Sequence, residues 1–139
     1  MRKIIVGLVC SLSAAWAFAQ QPAAGVIDAG RQSAQQWLVV LDQGNYAASW
    51  DASAHIFQSA ISKVDWEKAA ASVRSPFGAL EKREQTSATY AEQLPGAPAG
   101  QYVVLQYRAQ FAGGKTATET VTSMKEGDGA WHVVGYYIR

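Results

Sequence analysis

The sequence predicts an α+β domain: three N-terminal helices packed on one face of a four-stranded antiparallel sheet. Three observations carry this. Apolar residues recur at helical spacing through the first half, they alternate with polar residues through the second, and Leu94-Pro95-Gly96-Ala97-Pro98-Ala99-Gly100 separates the two. Helices grouped before strands favour an antiparallel sheet, whereas a parallel sheet would interleave them.

Ahead of the first helix, Met1-Arg2-Lys3 is followed by an apolar run from Ile4 to Phe18 and by Ala17-Phe18-Ala19. A basic start, a short apolar stretch and a small-x-small site are the marks of a cleavable export signal. The run is shorter than the roughly 20 residues that a membrane span requires. Residues 1–19 therefore read as a signal cut after Ala19, residues 20–139 as one domain, and the compartment as periplasmic or secreted. Cys10, the single cysteine, would leave with the signal, so the mature domain would have neither a disulfide nor a thiol.

In the first half, Ala34, Trp37, Leu38 and Leu41 fall at i, i+3, i+4 and i+7, and Asp42-Gln43-Gly44 is a stop signal, which predicts a helix from about Asp28 to Asp42. Asn45 is a natural cap for a second helix, along which Tyr46, Trp50, Phe57 and Ile61 recur at helical spacing. Ser62-Lys63-Val64-Asp65 resembles a capping box. Trp66, Ala69, Ala70, Val73 and Phe77 then continue a third helix, which Pro76 should end near Arg74.

In the second half, a strand around Glu81 to Glu92 alternates too weakly to be oriented. Gly113-Gly114, read as a two-residue turn, pairs Phe111 with Thr116, Arg108 with Glu119 and Tyr107 with Thr120. That register puts Val103, Leu105, Tyr107, Ala109 and Phe111 on the core face, opposite Thr116, Thr118, Thr120, Thr122 and Met124. Asp128-Gly129 is the strongest hairpin signal in the chain, and it pairs Thr122 with Gly135 and Thr120 with Tyr137. Trp131, Val133, Gly135 and Tyr137 then join the core face. His132, Val134, Tyr136 and Ile138 point the other way, beside Val121.

Charge excludes some functions. The whole chain has 12 basic and 11 acidic residues. Loss of Arg2 and Lys3 leaves the domain near neutrality, with no basic stripe. Nucleic acids and anionic membranes need clustered Lys and Arg, so neither is expected as a partner.

Several segments carry a family resemblance. They are Trp37-Leu38 through Asp42-Gln43-Gly44-Asn45-Tyr46 to Trp50, Val73-Arg74-Ser75-Pro76-Phe77-Gly78, Glu119-Thr120-Val121-Thr122 and Trp131-His132-Val133-Val134-Gly135-Tyr136-Tyr137-Ile138. Taken in this order they resemble the bacterial exported domain-of-unknown-function family 4019, over essentially the whole mature chain. The resemblance implies an exported domain and brings no assigned activity. The arrangement is also loosely similar to nuclear-transport-factor-2-like and cystatin-like folds, some of which are lyases or isomerases while many only bind. Fold analogy does not assign a function.

Candidate chemistry is sparse. Asp51 and His55, at i and i+4, would make an acid-base dyad on the second helix, but the spacing is also that of an ordinary surface ion pair, the reading favoured. His132 reads as a rim residue, and with no third ligand at useful spacing neither a metal nor a cofactor is expected. Arg108 opposite Glu119 is a common way to hold a sheet. Tyr107, Thr118, Thr120, Thr122, Gly135 and Tyr137 gather hydroxyls around a glycine and are the candidate ligand pocket. Val121, Val134, Tyr136 and Ile138 form an apolar patch on the other face, the candidate surface for a homodimer. The leading expectation is a non-catalytic module that binds a protein or a small ligand. The alternative is a lyase or isomerase with its site between helices and sheet, with Tyr107 or Tyr137 as polar group and Asp51 or His55 as base.

Overall fold

The computed structural model describes residues 23–139; the expected signal, its cleavage site and Cys10 lie outside the described residues. Among the described residues no helix is long and apolar enough to cross a membrane. The elements are α1 (Ala23–Asp42), α2 (Tyr46–Asp51), α3 (His55–Ala60), α4 (Lys63–Arg74), a 3₁₀ turn at Ser75–Phe77, and strands β1 (Leu80–Ala91), β2 (Tyr102–Phe111), β3 (Lys115–Lys125) and β4 (Trp131–Ile138). The sheet is an antiparallel meander in the order β1-β2-β3-β4.

The expected second helix is two short ones. The chain breaks at Ala52–Ala54 because Ser53 forms a parallel bridge to Val133, and the Ala54 N–H donates to the Val133 carbonyl at 2.8 Å. The backbone thus leaves the helical path to pair with the rim of the sheet. Asn45 caps α2 and Ser62 caps α4 through their side chains, as their residue types suggest.

The core lies where α1 crosses the sheet, with Ala34, Trp37, Leu38 and Leu41 packed over Val103, Leu105, Tyr107, Val121 and Val133. Gly30 allows the close approach: a Cβ there would lie 2.6 Å from the Cβ of Val103. The indole N–H groups bind inward. Trp37 donates to the Ser49 carbonyl at 2.8 Å and the Ser53 hydroxyl at 3.0 Å, and Trp66 donates to the Ser49 hydroxyl at 2.9 Å.

The β2–β3 register differs from the expected one by a single residue. The turn contains three residues, Ala112-Gly113-Gly114, with both glycines at positive φ (76° and 74°), and it is closed by Phe111 opposite Lys115. Side chains alternate along a strand, so a one-residue shift turns β3 over. The core face of β3 therefore carries Ala117, Glu119, Val121 and Ser123, not the threonines, and Tyr107 faces Glu119 while Arg108 faces Thr118.

The β3–β4 register is as expected for Thr122 with Gly135 and Thr120 with Tyr137. A bulge at Val134 lies between these pairs and Ser123–Val133. It moves β4 across the sheet midway. Trp131 and Val133 face the helices as expected, but beyond the bulge Tyr136 and Ile138 do so in place of Gly135 and Tyr137. Two further irregularities, at Glu81 and Thr86, interrupt β1 and account for its weak alternation.

Candidate functional site

The register shift brings a carboxylate into the interior. Glu119 is fully buried, and Arg83 on β1 clasps it through Nε at 2.6 Å and Nη2 at 3.1 Å. The other edge of the same guanidinium binds Asp42, with Nη1 and Nη2 at 2.7 and 2.9 Å. Arg74, at the end of α4, donates to Asp42 at 2.9 Å and lies 3.6 Å from Glu119. Tyr136 donates its hydroxyl to Glu119 at 2.6 Å. Two carboxylates and two guanidiniums thus form a charge-balanced cluster joining α1, α4 and three strands.

Each placement has a local reason. Asp42 closes α1, where the helix dipole disfavours an anion, and the two arginines offset that penalty. Arg74 lies in the last turn of α4, where a cation is favoured, and its guanidinium stacks 5.4 Å from the ring centroid of Phe111. Burial alone would weaken the charge on Arg83, but its bonds to Asp42 and Glu119 outweigh this and hold its pKa above the ordinary arginine value. Burial and then Glu119 push the Tyr136 phenol well up. The charged groups act as one another's partners within the cluster.

An open cleft of about 280 Å³ adjoins the cluster, lined by Asp42, Gly44, Tyr46, Arg74, Ser75 and Gly78 among others. Most of that lining comes from two of the segments that carry the resemblance. All four such segments meet here, contributing Asp42, Arg74, Glu119 and Tyr136 in turn; the sequence reading singled out none of these, nor Arg83, as members of a buried charge cluster.

At this point the family is decided by its own model, which matches residues 33–136. The chain belongs to the family described as a protein of unknown function, DUF4019. No curated protein matches it.

The residues singled out from this DUF4019 sequence are dispersed. Asp51 pairs with Lys63 at 2.6 Å on the surface, and His55, which is 86% exposed, contacts Glu126 at 3.0 Å. They lie on separate helices and each has another partner, so the expected dyad is not formed. Tyr107 faces the helices as expected; its buried hydroxyl has no partner among the described residues, and burial raises its pKa. Thr118, Thr120, Thr122, Gly135 and Tyr137 do remain neighbours, because the β3–β4 pairing that groups them is the expected one. They stand on the sheet face opposite α1, where Tyr137 is 60% exposed, while Thr122 and Gly135 line a cleft of about 270 Å³ with Ile56 and Phe57 of α3 and with Leu94 and Pro95. Of the expected outer apolar patch, Val121 is fully buried under the helices and Tyr136 and Ile138 also pack inward. Val134 lies at the bulge and lines the same cleft as Thr122 and Gly135.

His132 and His55, the only histidines of the chain, converge on one carboxylate. Glu126 Oε2 is 3.0 Å from Nδ1 of each, and Oε1 accepts the His55 backbone N–H at 2.6 Å. Among the described residues no three such side chains are arranged to hold a metal ion. Burial pushes the Glu126 carboxyl up, but the His55 amide and the two imidazoles outweigh it and hold it below the usual value. A depressed carboxyl pKa stabilises the fold above the unfolded-state value and loses that contribution as pH falls through the folded value. Melting temperatures measured from pH 7 to pH 3 should therefore fall more steeply below about pH 4.5 in the wild type than in Glu126→Gln. Parallel curves would exclude the linkage.

Proposed function

We propose that this DUF4019 protein is an exported, non-catalytic binding domain that takes an uncharged, hydroxyl-rich ligand, a saccharide chain, on the sheet face opposite α1. The observation that carries the reading is the composition of that face. Thr116, Thr118, Thr120 and Thr122 form a row along β3, flanked on β2 by Gln110, Arg108 and Gln106 and on β4 by Tyr137 and Gly135. Alternate residues of a strand are spaced by about 6.8 Å and neighbouring strands by about 4.8 Å. The row is thus a grid of hydroxyls and amides that both donate and accept, as sugar hydroxyls do. Tyr137, exposed beside Thr120, offers an aromatic face to the C–H face of a sugar ring.

Catalysis has less support. The interior carboxylates are held by arginines, and Asp51, His55, Tyr107 and Tyr137 are spread over separate helices, the interior and the outer face. Export rests on the sequence: its basic start, apolar run and Ala17-Phe18-Ala19. Calorimetric titration of the mature domain with neutral tri- and tetrasaccharides tests the binding reading. Binding should weaken about tenfold in Tyr137→Ala, a loss on the order of 1.4 kcal/mol, and should also weaken in Thr120→Val. No heat at millimolar saccharide, or binding untouched by both substitutions, would overturn it.

A further inference from the structure

A second surface is left by the sheet at its β4 edge. The Arg139 N–H and C=O exchange bonds with Thr118 at 3.0 and 2.8 Å, which fixes the alternation of the pairing. In an antiparallel ladder the residues between bonded pairs point their backbone groups away from the partner strand. Tyr136 and Ile138 therefore turn theirs outward, and no backbone hydrogen bond from the described residues reaches them on that side. The edge is already used once: Ser53 and Ala54 pair onto Val133 before the chain departs into α3. Beyond them an apolar groove of about 210 Å³, lined by Trp66, Ala69 and Val73 of α4, runs beside Tyr136, Tyr137 and Ile138.

Edge strands in monomeric proteins are commonly blunted by Lys, Pro, inward charges, bulges or a covering segment; here the bulge at Val134 and the Ser53–Ala54 bridge protect the edge only up to Val134, leaving Tyr136 and Ile138 beyond them. Trp131-His132-Val133-Val134-Gly135-Tyr136-Tyr137-Ile138 contains no lysine, proline or acidic residue. An unpaired backbone specifies its occupant, because only another extended backbone supplies donors and acceptors with a two-residue repeat. We infer that the β4 edge is a strand-addition site for an extended segment of a partner protein, with apolar residues at alternate positions and one of them seated between Ala69 and Val73. This site meets the saccharide face only at Tyr137, which borders both; its backbone groups belong to Tyr136 and Ile138, and the threonine row is not part of it.

The probe is an end-blocked Val-Thr-Val-Thr-Val peptide, with an analogue N-methylated at alternate residues. At millimolar peptide the amides of Tyr136 and Ile138 should shift in ¹⁵N spectra, and their hydrogen exchange should slow at least tenfold. The methylated analogue should not bind. Val73→Asp should weaken binding about tenfold; Val73 is 43% exposed, so melting temperature should stay unchanged and separate lost docking from lost folding, and Ala69→Asp, also at an exposed site, provides a second check. Unmoved Tyr136 and Ile138 amides, equal binding of the methylated peptide, or self-pairing of the domain through β4 without peptide would overturn the inference.

Discussion

Replacing Glu119 with alanine is expected to lower the unfolding free energy by about 3–5 kcal/mol, the cost typical of leaving a buried charge partner uncompensated. Glu119 accepts from Arg83 twice and from Tyr136 once, and it faces Arg74. After truncation Arg83 keeps only Asp42, and the Tyr136 hydroxyl is left without its acceptor. Glu119→Gln should cost less, because it keeps the volume and an acceptor for Tyr136. A paired Glu119→Leu and Arg83→Met exchange should cost less than Glu119→Ala alone, since apolar replacement of a whole buried ion pair is often tolerated. Urea denaturation at neutral pH measures all three. A loss below about 1 kcal/mol for Glu119→Ala, the range of exposed ion pairs, would show that the cluster contributes no more than a surface bridge.

Trp37→Ala is expected to be similarly severe, at about 3–5 kcal/mol for a large-to-small change in a packed core. Trp37 touches Trp66 and Tyr136, with ring centroids 6.0 and 5.4 Å away. Its N–H also fixes the chain at Ser49 and Ser53, the segment that bridges to β4. Trp37→Phe separates the two contributions. It keeps most of the packing and removes the N–H, leaving the buried Ser49 carbonyl and Ser53 hydroxyl one donor short, for about 1–3 kcal/mol. Equal losses for the two substitutions would mean that the hydrogen bonds dominate, and a negligible loss for phenylalanine that packing does.

The parts of the fold that were legible in the sequence are those set by long apolar patterns. The stripe Ala34, Trp37, Leu38 and Leu41 marks the buried side of α1, and the alternation from Val103 to Phe111 marks the core face of β2. What escaped was set by single residues. One extra residue in the Ala112-Gly113-Gly114 turn inverted β3, and one bulge at Val134 inverted the end of β4. Neither leaves a mark in local periodicity, because Thr and Val suit both faces of a strand. The candidate site was not read from the sequence, although four of its members, Asp42, Arg74, Glu119 and Tyr136, lie in the segments that carry the family resemblance; nothing in their spacing announced that they meet. A signal did exist: a glutamate set between threonines within a strand and an arginine within another strand of the same sheet are each costly to bury alone, and each needs the other.

The outer face shows the same division. Thr118, Thr120, Thr122, Gly135 and Tyr137 were grouped correctly by the Asp128-Gly129 hairpin, while the neighbouring turn decided which side of the sheet they occupy. They lie on the outer side of the sheet, with Tyr137 exposed, rather than in the interior between helices and sheet, and the proposed saccharide reading rests on that side. Mapping ¹⁵N chemical shifts of the mature domain during titration with a neutral trisaccharide tests it most directly. The account predicts that the amides of Gln106, Thr118, Thr120 and Tyr137 move together and saturably. Shifts confined to the cleft around Asp42, Gly44 and Arg74, or an unchanged spectrum at millimolar saccharide, would contradict it.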